Sequence, residues 1–311
     1  MIPLSDENPT LRPPYMTLGI LAAMFASWFL LQGAGFDDLA LATSVCNLGM
    51  VPAELTGGAP VGTAVPIGPG LACVVDQERI NWLTPLISLF LHGSWGHILG
   101  NALFFWVFGN NVEDVMGRGR FLAFYLVCGL AASAAHVLVD PASPVPTVGA
   151  SGAISGVMGA YLLLFPKVRV RMLFWFLIFF RIFAVPAWAV LAWWFVTQLI
   201  GGLPDIVSPN PELAGGVAFW AHVGGFVAGL VLVRLFENPA LVERRRLAFA
   251  AWGIPARLTG MERGLGSLRR MLARTFRASV VARSAERRHC NVLATSDHHS
   301  WGRLPGCAFE R

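Results

Sequence analysis

Four polar side chains stand inside otherwise apolar stretches of this sequence: His97, Asn101, Ser151 and His222. A serine hydroxyl attacks well only when a base takes its proton, and an imidazole within about 2.6 to 3.2 Å is the usual base. Ser151 attacking a carbonyl, with His222 taking the proton and returning it to a leaving amine, is the chemistry of a serine peptidase. The oxyanion that develops needs hydrogen-bond donors, and His97, Asn101 and the backbone N–H of Ser151 are the candidates. The apolar stretches hold no Asp or Glu to orient His222. The sequence therefore predicts a two-member arrangement rather than a triad.

The elements that position these groups belong in lipid. Of 311 residues, 55% are hydrophobic and 13% charged, against about 25% charged in soluble proteins. A helix needs roughly 20 residues to cross a hydrocarbon layer of about 30 Å. Six stretches qualify: 16–31, 95–112, 121–139, 148–165, 182–200 and 217–233. The fifth comes from a longer apolar run, 172–200, interrupted by Arg181. Taking Arg181 as a side chain that reaches the lipid surface leaves 182–200 as the span and 172–180 at the interface. The expected fold is an all-α polytopic membrane protein of six helices. Residues 1–15 form an N-terminal segment, 16–236 the six-span domain and 237–311 a basic tail. Residues 12–34 as a cleavable signal are disfavoured, because their apolar segment is long for one.

Charge sets the orientation. Residues 1–236 hold 9 Lys and Arg against 12 Asp and Glu, whereas 237–311 hold 14 Arg against 6 acids, so the basic character lies in the tail. Cytoplasmic loops carry the Lys and Arg excess. With both termini inside, the inner segments hold Arg12, Arg118, Arg120, Lys167, Arg169, Arg171 and the tail, and the outer loops only Arg79. The first outer loop is long and rich in Gly and Pro, which predicts an irregular surface structure or a partly embedded flap rather than a sheet. It holds Cys46 and Cys73, which the sequence leaves bridged or free. The tail beyond Asn238 alternates Arg with apolar residues and reads as partly disordered.

In this orientation the second, fourth and sixth spans all enter from outside, and the four polar residues fall within one or two turns of that surface. Ser155 and Gly159 share the face of Ser151, and Gly225 and Gly229 share the face of His222. Two faces of small residues allow backbones to approach closely in lipid.

These residues carry a resemblance. The run His92-Gly-Ser-Trp-Gly-His97-Ile-Leu-Gly-Asn101 is similar to the second-helix pattern of the rhomboids, the intramembrane serine proteases. Glu113-Asp-Val-Met-Gly117 is similar to the Glu-x-x-x-Gly that follows it. Gly149-Ala-Ser151-Gly resembles their nucleophile motif, and Ala221-His222-Val-Gly-Gly-Phe-Val-Ala-Gly229 their base-bearing sixth helix. The resemblance implies Ser151 as nucleophile, His222 as base, and His97 with Asn101 as oxyanion donors. It implies transmembrane protein substrates cut near the outer face, a lipid environment, no cofactor or metal, no nucleic acid, and a multi-pass protein of a bacterial plasma membrane. Two departures stand out. Members often carry Trp-Arg in the first outer loop, where Trp82 is followed here by Leu83; many place an aromatic four residues after the nucleophile, where Ser155 stands here.

Competing readings are weaker. A silent relative that only binds membrane segments would be favoured by loss of Ser151 or His222, and both are present. A transporter calls for charges near the midplane. There is no H-E-x-x-H for zinc. His92 and His136 read as locally hydrogen-bonded.

Overall fold

A computed structural model describes residues 2–176, 179–207 and 217–253. These lie in the first of two units, Met1–Met261. The chain begins with a short strand, β1 (Ile2–Asp6), followed by α1 (Tyr15–Leu30). Then come α2 (Asp38–Leu48), α3 (Pro52–Thr56), a hairpin of β2 (Ala64–Gly68) and β3 (Leu71–Val74), and the short α4 (Thr84–Ile87). Four longer elements follow: α5 (Trp95–Met116), α6 (Arg118–Val139), α7 (Ser151–Leu164) and, after a second hairpin, α8 (Ala187–Val207). The last two among the described residues are α9 (Phe219–Phe236) and α10 (Pro239–Ala251).

The described residues are thus mostly helical, and among them three helices are long and apolar enough to cross a membrane: α6, residues Ala187–Pro204 of α8, and α9. Helices α1, α2 and α7 are apolar but shorter. The last turn of α5 carries Glu113 and Asp114, both buried.

Two expectations are corrected. The chain does not turn helical at 182. It stays extended, and β4 (Arg169–Phe176) pairs antiparallel with β5 (Phe179–Pro186), with β1 on the other edge of β4. Arg181 sits opposite Phe174 in this ladder, so it belongs to a hairpin and not to a helix end. The run is dense in Phe, Trp, Val and Ile, which suit a pleated surface. Pro186 then closes the strand, and a helix begins cleanly after it. The first outer loop is also more ordered than its Gly and Pro content suggests. It holds the three short helices α2, α3 and α4, a hairpin and a Cys46–Cys73 disulfide joining α2 to β3. It is stitched to the loop before Ser151 by mutual backbone hydrogen bonds between Met50 and Thr147. These ties anchor the loop where the Trp-Arg pair is missing.

The opposite end is held by buried charge. Glu113 accepts from the backbone N–H of Met16 at 3.0 Å and from the N–H and hydroxyl of Thr17, both at 2.8 Å. A carboxylate at a helix start satisfies donors that the helix leaves open and meets the positive end of its dipole. Gly117, at φ 83°, makes the tight turn from α5 to α6. Asp114 pairs with Arg12 at 3.2 Å and with Arg245, whose side chain is fully buried and also donates to Asn8 and Asn111. Arg245 projects from α10, so the beginning of the basic tail is a helix docked on the core; residues 254–311 lie outside the described residues.

Candidate active site

Ser151 is the first residue of α7 and His222 lies in the first turn of α9. What brings them together is glycine. A Cβ on Gly225 would overlap the carbonyl of Gly152, and one on Gly229 the carbonyl of Gly156, so α7 and α9 touch backbone to backbone. This is the small-residue packing that lipid-embedded helices use. At that separation His222 Nε2 lies 2.7 Å from Ser151 Oγ. A serine hydroxyl and an imidazole nitrogen at this distance can exchange a proton.

The surroundings supply donors. As the first residue of α7, Ser151 has a backbone N–H without an intrahelical acceptor, at the positive end of the helix dipole. Gly149, at φ 132°, takes a conformation L side chains avoid, and a Cβ there would lie 2.7 Å from His97 Nε2. The close approach sets His97 beside the nucleophile's turn. The Nδ1 of His97 accepts from the Gly93 N–H at 3.4 Å, which leaves the hydrogen on Nε2, the nitrogen facing that turn. Asn101 is buried, and its Nδ2 has no hydrogen-bond partner among the described residues.

His92 packs against His97 with ring centres 5.1 Å apart. Burial, and then the neighbouring His97, push the His92 imidazole down to about 3, so it stands uncharged there. Its backbone is clamped by the Gln32 side chain, which accepts from the His92 N–H at 2.8 Å and donates to its carbonyl at 2.7 Å. His136 Nε2 lies 3.1 Å from Thr147 Oγ1, a bond to the loop that leads into α7.

One residue was missed in the sequence. Gln198 of α8 places Oε1 2.8 Å from His222 Nδ1. The signal was available: Gln198 is polar and lies near the end of the fifth apolar stretch that the charge distribution reads as outer, which would put it in the layer of the other four. The position left empty of an aromatic by Ser155 is also answered from α8. Ser155 is buried and donates to the Ser151 carbonyl at 2.6 Å, while the Trp194 ring lies 5.8 Å from that of His222. Among the described residues no cluster of His, Cys, Asp and Glu is arranged to hold a metal ion.

Known proteins resemble this part of the chain in sequence. The Rhomboid domain family matches residues 79–238, about half of the chain. The chain is 37% identical to rhomboid protease GluP of Bacillus subtilis over 110 residues, 35% of this chain and 21% of that protein. It is 28% identical to mitochondrial rhomboid protein 1 of Saccharomyces cerevisiae over 176 residues, 53% of this chain and 45% of the relative. A putative rhomboid protein of Acanthamoeba polyphaga mimivirus, L523, matches at 29% over 169 residues, 79% of its length. The chain therefore spans less than half of the first two relatives. The matched segment contains His97, Asn101, Ser151 and His222, and with its apolar helices the protein is an integral membrane protein belonging to the rhomboid family.

Proposed function

We propose that this protein is an intramembrane serine endopeptidase that cuts transmembrane segments of other proteins near the outer face of the bilayer. The observation that carries the reading is the 2.7 Å contact between His222 Nε2 and Ser151 Oγ, held by glycine-mediated packing of α7 on α9. In this reading Ser151 attacks the scissile carbonyl as His222 takes its proton. The oxyanion is met by the Ser151 N–H, His97 Nε2–H and Asn101 Nδ2. Collapse of the intermediate expels the amine, which takes the proton back from His222, and water repeats the sequence to release the acyl group.

The same reading includes six spans, a catalytic domain over 16–236, both termini in the cytoplasm and a bacterial plasma membrane. The Lys and Arg distribution supports the topology. Helices α1, α5 and α7 are the three further spans. No cofactor takes part.

The experiment is cleavage of a generic transmembrane substrate by purified protein. Ser151→Ala and His222→Ala should each abolish turnover, and the double variant should be no worse, because the two groups act as a unit. Retained turnover in folded Ser151→Ala would end the reading.

A further inference from the structure

An imidazole has two nitrogens, and only the one without hydrogen can take a proton from serine. With His222 Nε2 facing Ser151 Oγ, a competent base must carry its hydrogen on Nδ1. That nitrogen faces Gln198 Oε1 at 2.8 Å. A glutamine amide has a donor end and an acceptor end, so its orientation decides the matter. Here the far end is fixed by its partners. Gln198 Nε2 donates to the carbonyl of Trp194 at 3.2 Å, an atom that can only accept. It also donates to Thr197 Oγ1 at 3.1 Å, whose own hydrogen goes to the same Trp194 carbonyl at 2.6 Å. Reversing the amide would set its oxygen against the Trp194 carbonyl and turn its NH2 toward His222. The histidine hydrogen would then move to Nε2, and the base would be disabled. Gln198 is buried, so water does not compete freely for these bonds.

We propose that Gln198 is a positioning residue that holds His222 as the Nδ1–H tautomer, making the pair a relay of Ser151, His222 and a neutral amide. The proposal rests on the reading of Ser151 and His222 as nucleophile and base. It assigns to α8 the task that an acidic third member performs in serine peptidases of the triad type, without placing a second charge in the membrane. The Trp194 ring, one turn earlier on α8, packs against the same imidazole.

The test uses the full chain in detergent with a transmembrane substrate. Gln198→Met keeps length and volume but removes the acceptor, and kcat should fall about 10- to 100-fold with KM changed less than about twofold. Gln198→Glu restores an acceptor and should recover most of the turnover. It should also move the acid limb of kcat/KM to higher pH, because a carboxylate at Nδ1 favours the imidazolium. Nitrogen-15 spectra of histidine-labelled protein, with His222 identified by its loss in His222→Ala, should show Nδ1–H in the wild type and growth of Nε2–H in Gln198→Met.

Wild-type kcat and an unchanged tautomer in Gln198→Met would overturn the proposal, as would equal losses in Met and Glu variants with an unmoved pH profile. Should Gln198→Met fail to fold, the acid limb of Gln198→Glu decides, and an unmoved limb overturns it. Wild-type turnover in His222→Ala would remove the nucleophile–base reading and this proposal with it. Inactive Ser151→Ala and His222→Ala beside a fully active Gln198→Met would remove the proposal alone.

Discussion

The two ends of the helical unit hold polar side chains in opposite ways. At the Asp114 end the carboxylates are saturated: Asp114 meets Arg12 and Arg245, and Glu113 fills the open donors of α1. The partners come from the N-terminal segment, α1, α5 and α10, so the cluster ties distant stretches of chain into one body. At the Ser151 end Ser151, His222 and Gln198 are joined in a short chain of hydrogen bonds with no carboxylate among them, and Asn101 Nδ2 is buried without a partner among the described residues. Closeness there is achieved by glycine rather than by charge. Carboxylates so fully paired serve stability. A donor left open can act on a charge that is absent until substrate arrives.

The contrast breaks most visibly at Asp114. Asp114→Ala leaves Arg245 buried without the carboxylate it pairs with, which should cost about 3 to 5 kcal/mol of stability. Resistance to unfolding in detergent should fall sharply, while the folded fraction keeps near-normal kcat. A loss of kcat without a loss of stability would mean that the two ends are not separable.

Asn101→Ala is the mirror experiment. As an oxyanion donor it should lower kcat by roughly 10- to 1000-fold with substrate affinity and unfolding midpoint little changed. As a packing residue it would cost only about 0.6 to 2 kcal/mol of stability and leave turnover normal. Kinetics and thermal unfolding on one preparation separate the two.

The smallest effect is set by pH. Asp6 of β1 accepts from the Tyr161 hydroxyl and from Asn111. Burial pushes its carboxyl up to about 6, although Tyr161, its own backbone and Arg245 favour the ion. A carboxyl raised in the folded state binds its proton more tightly there than in the unfolded chain, so stability falls as pH rises from about 4 to about 6 and is level above. Protection factors of the β1 amides, which remove the intrinsic pH dependence of exchange, should be larger at pH 5 than at pH 7.5. In Asp6→Asn the difference should vanish.

The sequence made the Ser151 end legible because lipid punishes polar atoms, so each survivor is a signal. His97, Asn101, Ser151 and His222 were readable on that ground, and the glycine faces showed how their helices could meet. Gln198 obeys the same rule, but nothing in its local sequence names His222 as its partner. Arg181 itself misled, since a charge in an apolar run marks a hairpin edge as readily as a helix end. The Asp114 end was hidden for a different reason. Its partners lie about 100 to 130 residues apart, Arg12 and Arg245 from opposite flanks, and no local pattern announces such a pairing. In an Arg-rich tail, Arg245 looks like its neighbours until it is found buried.

The central claim is that the Ser151 hydroxyl is activated by His222, and a serine-directed fluorophosphonate probe tests it without any knowledge of the natural substrate. Labelling of the wild type, mapped by mass spectrometry, should fall on Ser151, should be lost in Ser151→Ala, and should drop steeply in His222→Ala while persisting in the folded fraction of Asp114→Ala. Full labelling without His222, or labelling at another residue, would contradict the account.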